Sequence, residues 1–450
     1  MTRLTLYRKA ATHRPISRSF NFERRLRPLA KVHLMATAPA RAAERPRPGP
    51  LRLQAVLWNA LGPGSIAYAL TELLDNMPKG AVERRLWCLS SDPLSPHEYD
   101  SPALPTIVYR ALCKARVPAT VQGRIASTVA LRSIKAGDIV YIWPPYDLRM
   151  IKRAQERGAI VVAERTNCMG PMGLDVLSRA YARRGLPLPD GWFPADGMRE
   201  EHEQMLQCDF VTAANALASQ SLRDAGVPDD RILETSYGFS PSRLARAIGI
   251  ERPRRPPVFA FVGLGIVRKG LDVLLEAWAR AGVNGTLLLA GHVDEDIRVA
   301  YADILARPDV QELGFVKDIA GVYAAADVFV FPSHEEGGPQ VIYEAAACGL
   351  ASIVSPMGAG RIVRHETECL MIDPLDVDSI AAALTRLAED EPLRRGLAFR
   401  AAERSRDFTW AKVGARLYDQ FCAIWNRFSS ESGKADVTEL DRVSGGTTNR

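Results

Sequence analysis

A chain of 450 residues exceeds what one hydrophobic core usually serves, so two domains are the starting expectation. A hydrophobic content of 47% beside 24% charged residues is that of an ordinary globular protein, and no apolar run approaches the roughly 20 residues of a membrane-crossing helix. The formal charge of +6 is unevenly placed, with +10 on residues 1–50 and −4 on the rest, and no nucleic-acid partner is expected.

In chain order, residues 1–50 form a basic extension that ends in Arg45-Pro-Arg-Pro-Gly-Pro50 and lacks the apolar core of a secretory signal. Three readings of it compete: a disordered arm touching anionic lipid, a targeting peptide, or sequence upstream of a start at Met35. Disorder without a catalytic role is the favoured one. Leu51–Trp58 then reads as a strand and residues 59–65, with Gly62 and Gly64, as a glycine-bearing turn. An amphipathic helix follows over residues 66–76. Strand, turn and helix open a Rossmann-like unit, although Gly62-x-Gly64 lacks the third glycine of the dinucleotide fingerprint.

The alternation resumes with a strand over 138–143, a helix over 148–157 and a strand over 159–163 that leads into Glu164-Arg-Thr-Asn-Cys-Met169. A helix over 198–207, a strand over 210–213, a helix over 216–225 and a strand over 231–235 follow. Repeated βα units imply a parallel sheet with helices on both faces. The proline-basic stretch 251–257 reads as a linker, and the pattern restarts with a strand over 258–262, the loop Gly263-Leu-Gly-Ile-Val-Arg-Lys-Gly270, a helix over 271–281 and a strand over 286–290. Asp294-Glu-Asp296 reads as a helix start at the surface, not a metal cluster. The seven cysteines (Cys88, Cys113, Cys168, Cys208, Cys348, Cys369 and Cys422) form no Cys-x-x-Cys pair and read as reduced thiols.

The most informative stretch is Asp327-Val-Phe-Val-Phe-Pro-Ser333 followed by Glu336-Gly-Gly-Pro-Gln-Val-Ile-Tyr-Glu344. It reads as a buried strand, a loop and a helix with two glycines at the helix entrance. Bare N–H groups and the positive dipole end of a helix suit a phosphate or a developing anion. Upstream, Val310–Val316 and Ile319–Asp327 supply another strand and helix. Together these segments resemble the glutamate-any-seven-glutamate signature of retaining glycosyltransferases of family 4, which have the GT-B fold. The resemblance covers about residues 51–428.

That resemblance implies an α/β chain with two Rossmann-like domains facing each other across a cleft. The expected division is a first domain over 51–245, a nucleotide-sugar domain over 246–405, a crossing helix over 406–428 and a disordered tail over 429–450. It implies transfer of a sugar from a nucleotide diphosphate sugar to a saccharide or lipid-linked acceptor, with retention and without a metal or other cofactor. The setting it implies is cytoplasmic, with possible contact at the inner, anionic membrane face. Glu336 is then expected nearest the transferred sugar, Lys269 and Arg268 on the leaving phosphates, and Glu344 on the ribose hydroxyls. Gly337, Gly338, Pro339, Gly263, Gly265, Gly62 and Gly64 are expected to line the donor site. Two departures stand out: Leu264 replaces a common arginine, and Arg165-Thr-Asn167-Cys-Met169 lacks a common histidine, which leaves Arg165 or Asn167 for a positioning role. His334 reads as a surface histidine beside the donor site. Rival readings are a GT-B epimerase, a glycogen-synthase-like enzyme, or a sugar-nucleotide-binding protein with a degenerate site.

Overall fold

The computed structural model describes residues 49–60, 66–90, 97–253 and 255–444, all within one compact unit, Gly49–Arg450. Gly62, Gly64 and all but the last two residues of the basic extension lie outside the described residues.

Two parallel sheets organise the chain. The first contains β1 (Leu51–Ala60), β2 (Val82–Ser90), β3 (Asp100–Pro102), β4 (Ile139–Ile142), β5 (Ile160–Arg165), β6 (Phe210–Ala213) and β7 (Ile232–Glu234), in the order β3-β2-β1-β4-β5-β6-β7. The second contains β8 (Val258–Val262), β9 (Thr286–Ala290), β10 (Val310–Gly314), β11 (Val328–Phe331), β12 (Ala351–Val354) and β13 (Cys369–Met371), ordered β10-β9-β8-β11-β12-β13. Every pairing is parallel; β4, for instance, runs in register with β5 from Ile139 opposite Ile160 to Ile142 opposite Ala163. The strands at the centre of each sheet are buried at every position because helices cover both faces, so they read as continuous apolar runs.

The helices carry the signals that local chemistry predicts. Asp147 caps helix Leu148–Glu156 by accepting from Arg149 N, and Met150, Ile151 and Ala154 form its buried stripe. Asp376 accepts from two N–H groups at the start of Val377–Glu389, and helix Leu271–Ala281 ends on Gly282 at φ 56°. Asp294 caps a short helix, Glu295–Ala300.

The final helix packs on the first sheet. Phe421 meets Tyr141 edge-on at 5.2 Å, Phe428 meets Phe210 at 6.1 Å, and Trp425 Nε1 donates to Gly137 O at 2.9 Å. It spans Trp410–Ser444, where the sequence predicts an end at residue 428 and a tail beyond. Residues 429–444 hold no proline and a single glycine, Gly433, so no helix breaker but that glycine interrupts the backbone there. The stretch 77–137 supplies two strands and helices Thr106–Lys114 and Ala119–Leu131 that the sequence pattern leaves unread.

Candidate active site

Two loops of the second domain build the site. A 3-10 turn, Val267–Lys269, follows β8 and closes on Gly270 at φ 73°. A Cβ there would lie 2.2 Å from Pro332 O, so only glycine lets this loop meet the loop after β11. Arg268 O then accepts from His334 N at 2.9 Å. The clamp sets Lys269 and Arg268 against Glu336 and Glu335. Lys269 Nζ pairs with Glu336 Oε1 and lies 5.7 Å from the centre of the Phe331 ring. Ser333 Oγ donates to the same carboxylate oxygen at 2.8 Å, and Arg268 Nη1 reaches Glu335 Oε2 at 3.1 Å.

Helix Gln340–Ala347 begins after Pro339, and no side chain caps its first N–H groups. Glu344, on its second turn, is buried and accepts from Tyr323 OH at 3.0 Å, Gln340 Nε2 at 3.1 Å and Arg243 Nη1 at 3.3 Å. Burial pushes its carboxyl above the ordinary value, and Arg243 opposes that most strongly. Arg243 also lies 5.3 Å from the centre of the Tyr68 ring, which ties Glu344 to the first domain.

The opposite wall of the cleft is the loop after β5. Glu335 accepts from Cys168 N at 3.1 Å and from Asn167 Nδ2 at 3.3 Å, so one buried carboxylate joins both walls and Arg268. A Cβ on Gly337 would sit 1.7 Å from Thr166 O, and one on Gly338 would sit 2.6 Å from the Tyr237 ring. Both glycines therefore permit close approach of the walls. Gly263, at φ 147°, and Gly265 serve packing between loops: a Cβ on Gly265 would strike Leu271 at 2.6 Å, and one on Gly291 would strike Gly263 O.

The structure separates the two residues proposed for the first domain. Asn167 faces Glu335. Arg165 is buried and turned inward, with Nε on Asn167 O at 2.9 Å and Nη2 on Cys168 O at 2.6 Å and Glu201 Oε1 at 2.5 Å. It shapes the loop that presents Asn167 and Cys168.

His334 is a correction, since it is 3% exposed and not a surface residue. Its backbone is pinned to Arg268 O, and helix Gly170–Arg183 of the first domain packs against the 267–269 turn. Nε2 has no partner among the described residues, and burial, with repulsion from Arg183 and Arg179, lowers its pKa to about 3. Arg183 is itself held by Asp272 Oδ2 at 2.6 Å and Glu276 Oε2 at 2.8 Å across the two domains.

Sequence reasoning missed Glu335, Arg243 and Glu164. Glu335 adjoins the signature and carries a readable signal, a second acid before the helix entrance. Glu164, at the end of β5, is buried under hydroxyls of Tyr141, Thr212 and Tyr237, and burial pushes its carboxyl up to about 7. Tyr237 in turn lies parallel to Trp143, with ring centres 6.4 Å apart.

Two facing parallel sheets with these loops between them are the GT-B architecture. Sucrose-phosphate synthase from Thermosynechococcus elongatus superposes with a TM-score of 0.63 at 19% identity, covering 83% of this chain and all of the other. HepE from Anabaena, solved in complex with UDP and glucose, gives 0.61 at 15% identity over the same shares. Residues 256–390 match the family model of glycosyl transferases group 1, and over this domain the chain resembles that group. Phosphatidyl-myo-inositol mannosyltransferase of Mycolicibacterium smegmatis is 34% identical over 160 residues, 33% of this chain and 40% of its own length. N,N'-diacetylbacillosaminyl-diphospho-undecaprenol alpha-1,3-N-acetylgalactosaminyltransferase of Campylobacter jejuni is 28% identical over 170 residues, 37% and 45% respectively. The chain thus spans about half the length of the curated relatives it matches or less.

Proposed function

We propose that this chain is a retaining glycosyltransferase that moves a sugar from a nucleotide diphosphate sugar to a lipid-linked or saccharide acceptor at the cytoplasmic membrane face. The observation that carries the reading is the set Lys269–Glu336, Arg268–Glu335 and Arg243–Glu344, gathered where two Rossmann-like domains meet. Departure of a nucleoside diphosphate builds negative charge on its phosphates as the anomeric C–O bond breaks. Lys269, Arg268 and the uncapped N–H groups of helix Gln340–Ala347 are the groups that oppose that charge. Glu336 holds a sugar hydroxyl once its pairing with Lys269 is exchanged for the phosphate, and Glu344 accepts from the ribose diol. The lipid-linked substrates named for two relatives motivate the acceptor class.

The test begins with thermal-shift titration by UDP, GDP and ADP and their sugar conjugates, followed by release of nucleoside diphosphate with candidate acceptors. One nucleotide is expected to raise the midpoint by mass action. Glu344→Ala is expected to weaken that binding, and Lys269→Ala to slow turnover while the fold survives. Isomerisation of the donor without acceptor would identify an epimerase. Binding without turnover across an acceptor panel would identify a degenerate binding protein. Wild-type behaviour in both variants would remove these residues from the site.

A further inference from the structure

We infer that the exposed face of helices Thr106–Lys114 and Ala119–Leu131 docks the protein on an anionic phospholipid surface. The first of these helices has no fully buried residue; only Tyr109 and Leu112 turn inward, against the first domain's core. Its outward side presents Ile107, 79% exposed, and Val108, while the second helix presents Val121 and Ile125, each near 40%. Ordered helices thus hold these aliphatic side chains partly or largely in solvent.

The charge of the same segment is one-sided. No Asp or Glu occurs between Asp100 and Asp138, whereas Arg110, Lys114, Arg116, Arg124, Arg132 and Lys135 all fall there. All six are exposed, and none pairs with a carboxylate among the described residues. Elsewhere exposed arginines are commonly matched, as Arg298 is by Glu312 and Arg386 by Glu366. Unmatched cations interleaved with projecting aliphatics are the composition of an interfacial helix, whose apolar face enters the headgroup boundary while its cations meet lipid phosphate. A nucleic-acid surface would call for stacking rings in place of isoleucine and valine.

The placement fits a lipid-borne substrate. Thr106 Oγ1 accepts from Ser90 at the end of β2, and Gly123 packs on Trp58 near the end of β1. Both helices therefore start at the strand ends that face the cleft, on the domain left for the acceptor. In this respect the inference rests on the glycosyltransferase reading.

The experiment is flotation of the full chain with phosphatidylcholine vesicles, with and without phosphatidylglycerol. The wild type is expected to float with the anionic vesicles only. Arg110→Gln and Lys114→Gln are each expected to weaken binding about fivefold, and the pair Ile107→Asp with Ile125→Asp by about tenfold or more. Unchanged thermal midpoints show that these outward positions leave the fold intact. The basic extension is identical in all variants, so wild-type binding by every variant would overturn the proposal. Binding to duplex DNA without binding to vesicles would overturn it too. Vesicle binding is read without sugar transfer. A chain that docks through this face but transfers nothing contradicts only the proposed function, and one that transfers sugar but docks equally in all variants contradicts only this surface.

Discussion

Replacing Glu164 by Gln tests the electrostatics beneath the cleft. The carboxyl is 1% exposed, and its pKa is pushed up to about 7 chiefly by burial, against hydrogen bonds from Thr212, Tyr141 and Tyr237. Because the unfolded chain releases this proton near 4.5, the folded state binds more protons between there and about 7. Stability contributed by this site is therefore greatest at low pH and falls as pH rises through that window. At about 1.4 kcal/mol per pH unit, the cost above pH 7 is about 3 kcal/mol. The amide keeps an acceptor for the hydroxyls and carries no charge, so Glu164→Gln recovers that cost at high pH only. The measurement is the variant-minus-wild-type difference in thermal midpoint from pH 4 to 8.5. The difference should rise with pH and level off above 7, at roughly 2–4 °C per kcal/mol for a domain of this size. Taking the difference matters because His334 tilts the wild-type profile the opposite way. A difference independent of pH would refute the argument, because it would mean that Glu164 ionises in the folded chain as it does in water.

His334 stays neutral in the fold down to about pH 3, so the unfolded chain gains a proton first and stability falls as pH drops below about 6.5. By pH 5 the loss is about 2 kcal/mol, and His334→Gln is expected to remove that slope in acid thermal melts. Arg183→Met leaves Asp272 fully buried and unpaired, which costs about 3–5 kcal/mol; adding Asp272→Asn is expected to restore part of the lost midpoint. Gly337→Ala drives a methyl group into Thr166 O, a backbone atom that cannot yield. Hydrogen exchange over residues 165–170 is expected to quicken, and unchanged protection there would show that the walls do not meet through Gly337.

The second domain was legible because its chemistry is local. Lys269 lies seven residues beyond the end of β8, and Glu336 and Glu344 bracket one loop and helix start, so the family resemblance could point to them on short stretches of chain. The cleft's other wall is made by contacts between residues far apart in sequence. Glu335 meets Cys168 across 167 positions, and Arg243 meets Glu344 across 101. No periodicity marks such a partner. Position alone proposed Arg165 and Asn167 together, since residues two apart share a face of a strand, yet the chain leaves β5 after Arg165 and the structure sends one inward and the other to Glu335.

Glu335 shows what the pattern could not weigh. Beside the signature it reads as a redundant acid, yet its two oxygens are divided between Arg268 and the opposite domain, while Glu336 neutralises Lys269. Under the proposed activity, both cations meant for the leaving phosphates are already matched by carboxylates. A diphosphate must displace those pairings to bind, and freeing Glu335 from Arg268 alters the same carboxylate that holds the loop of Asn167 and Cys168. Donor binding and the contact between the domains are thereby coupled through one side chain, so Glu335→Gln should change donor affinity without touching the donor's expected contacts.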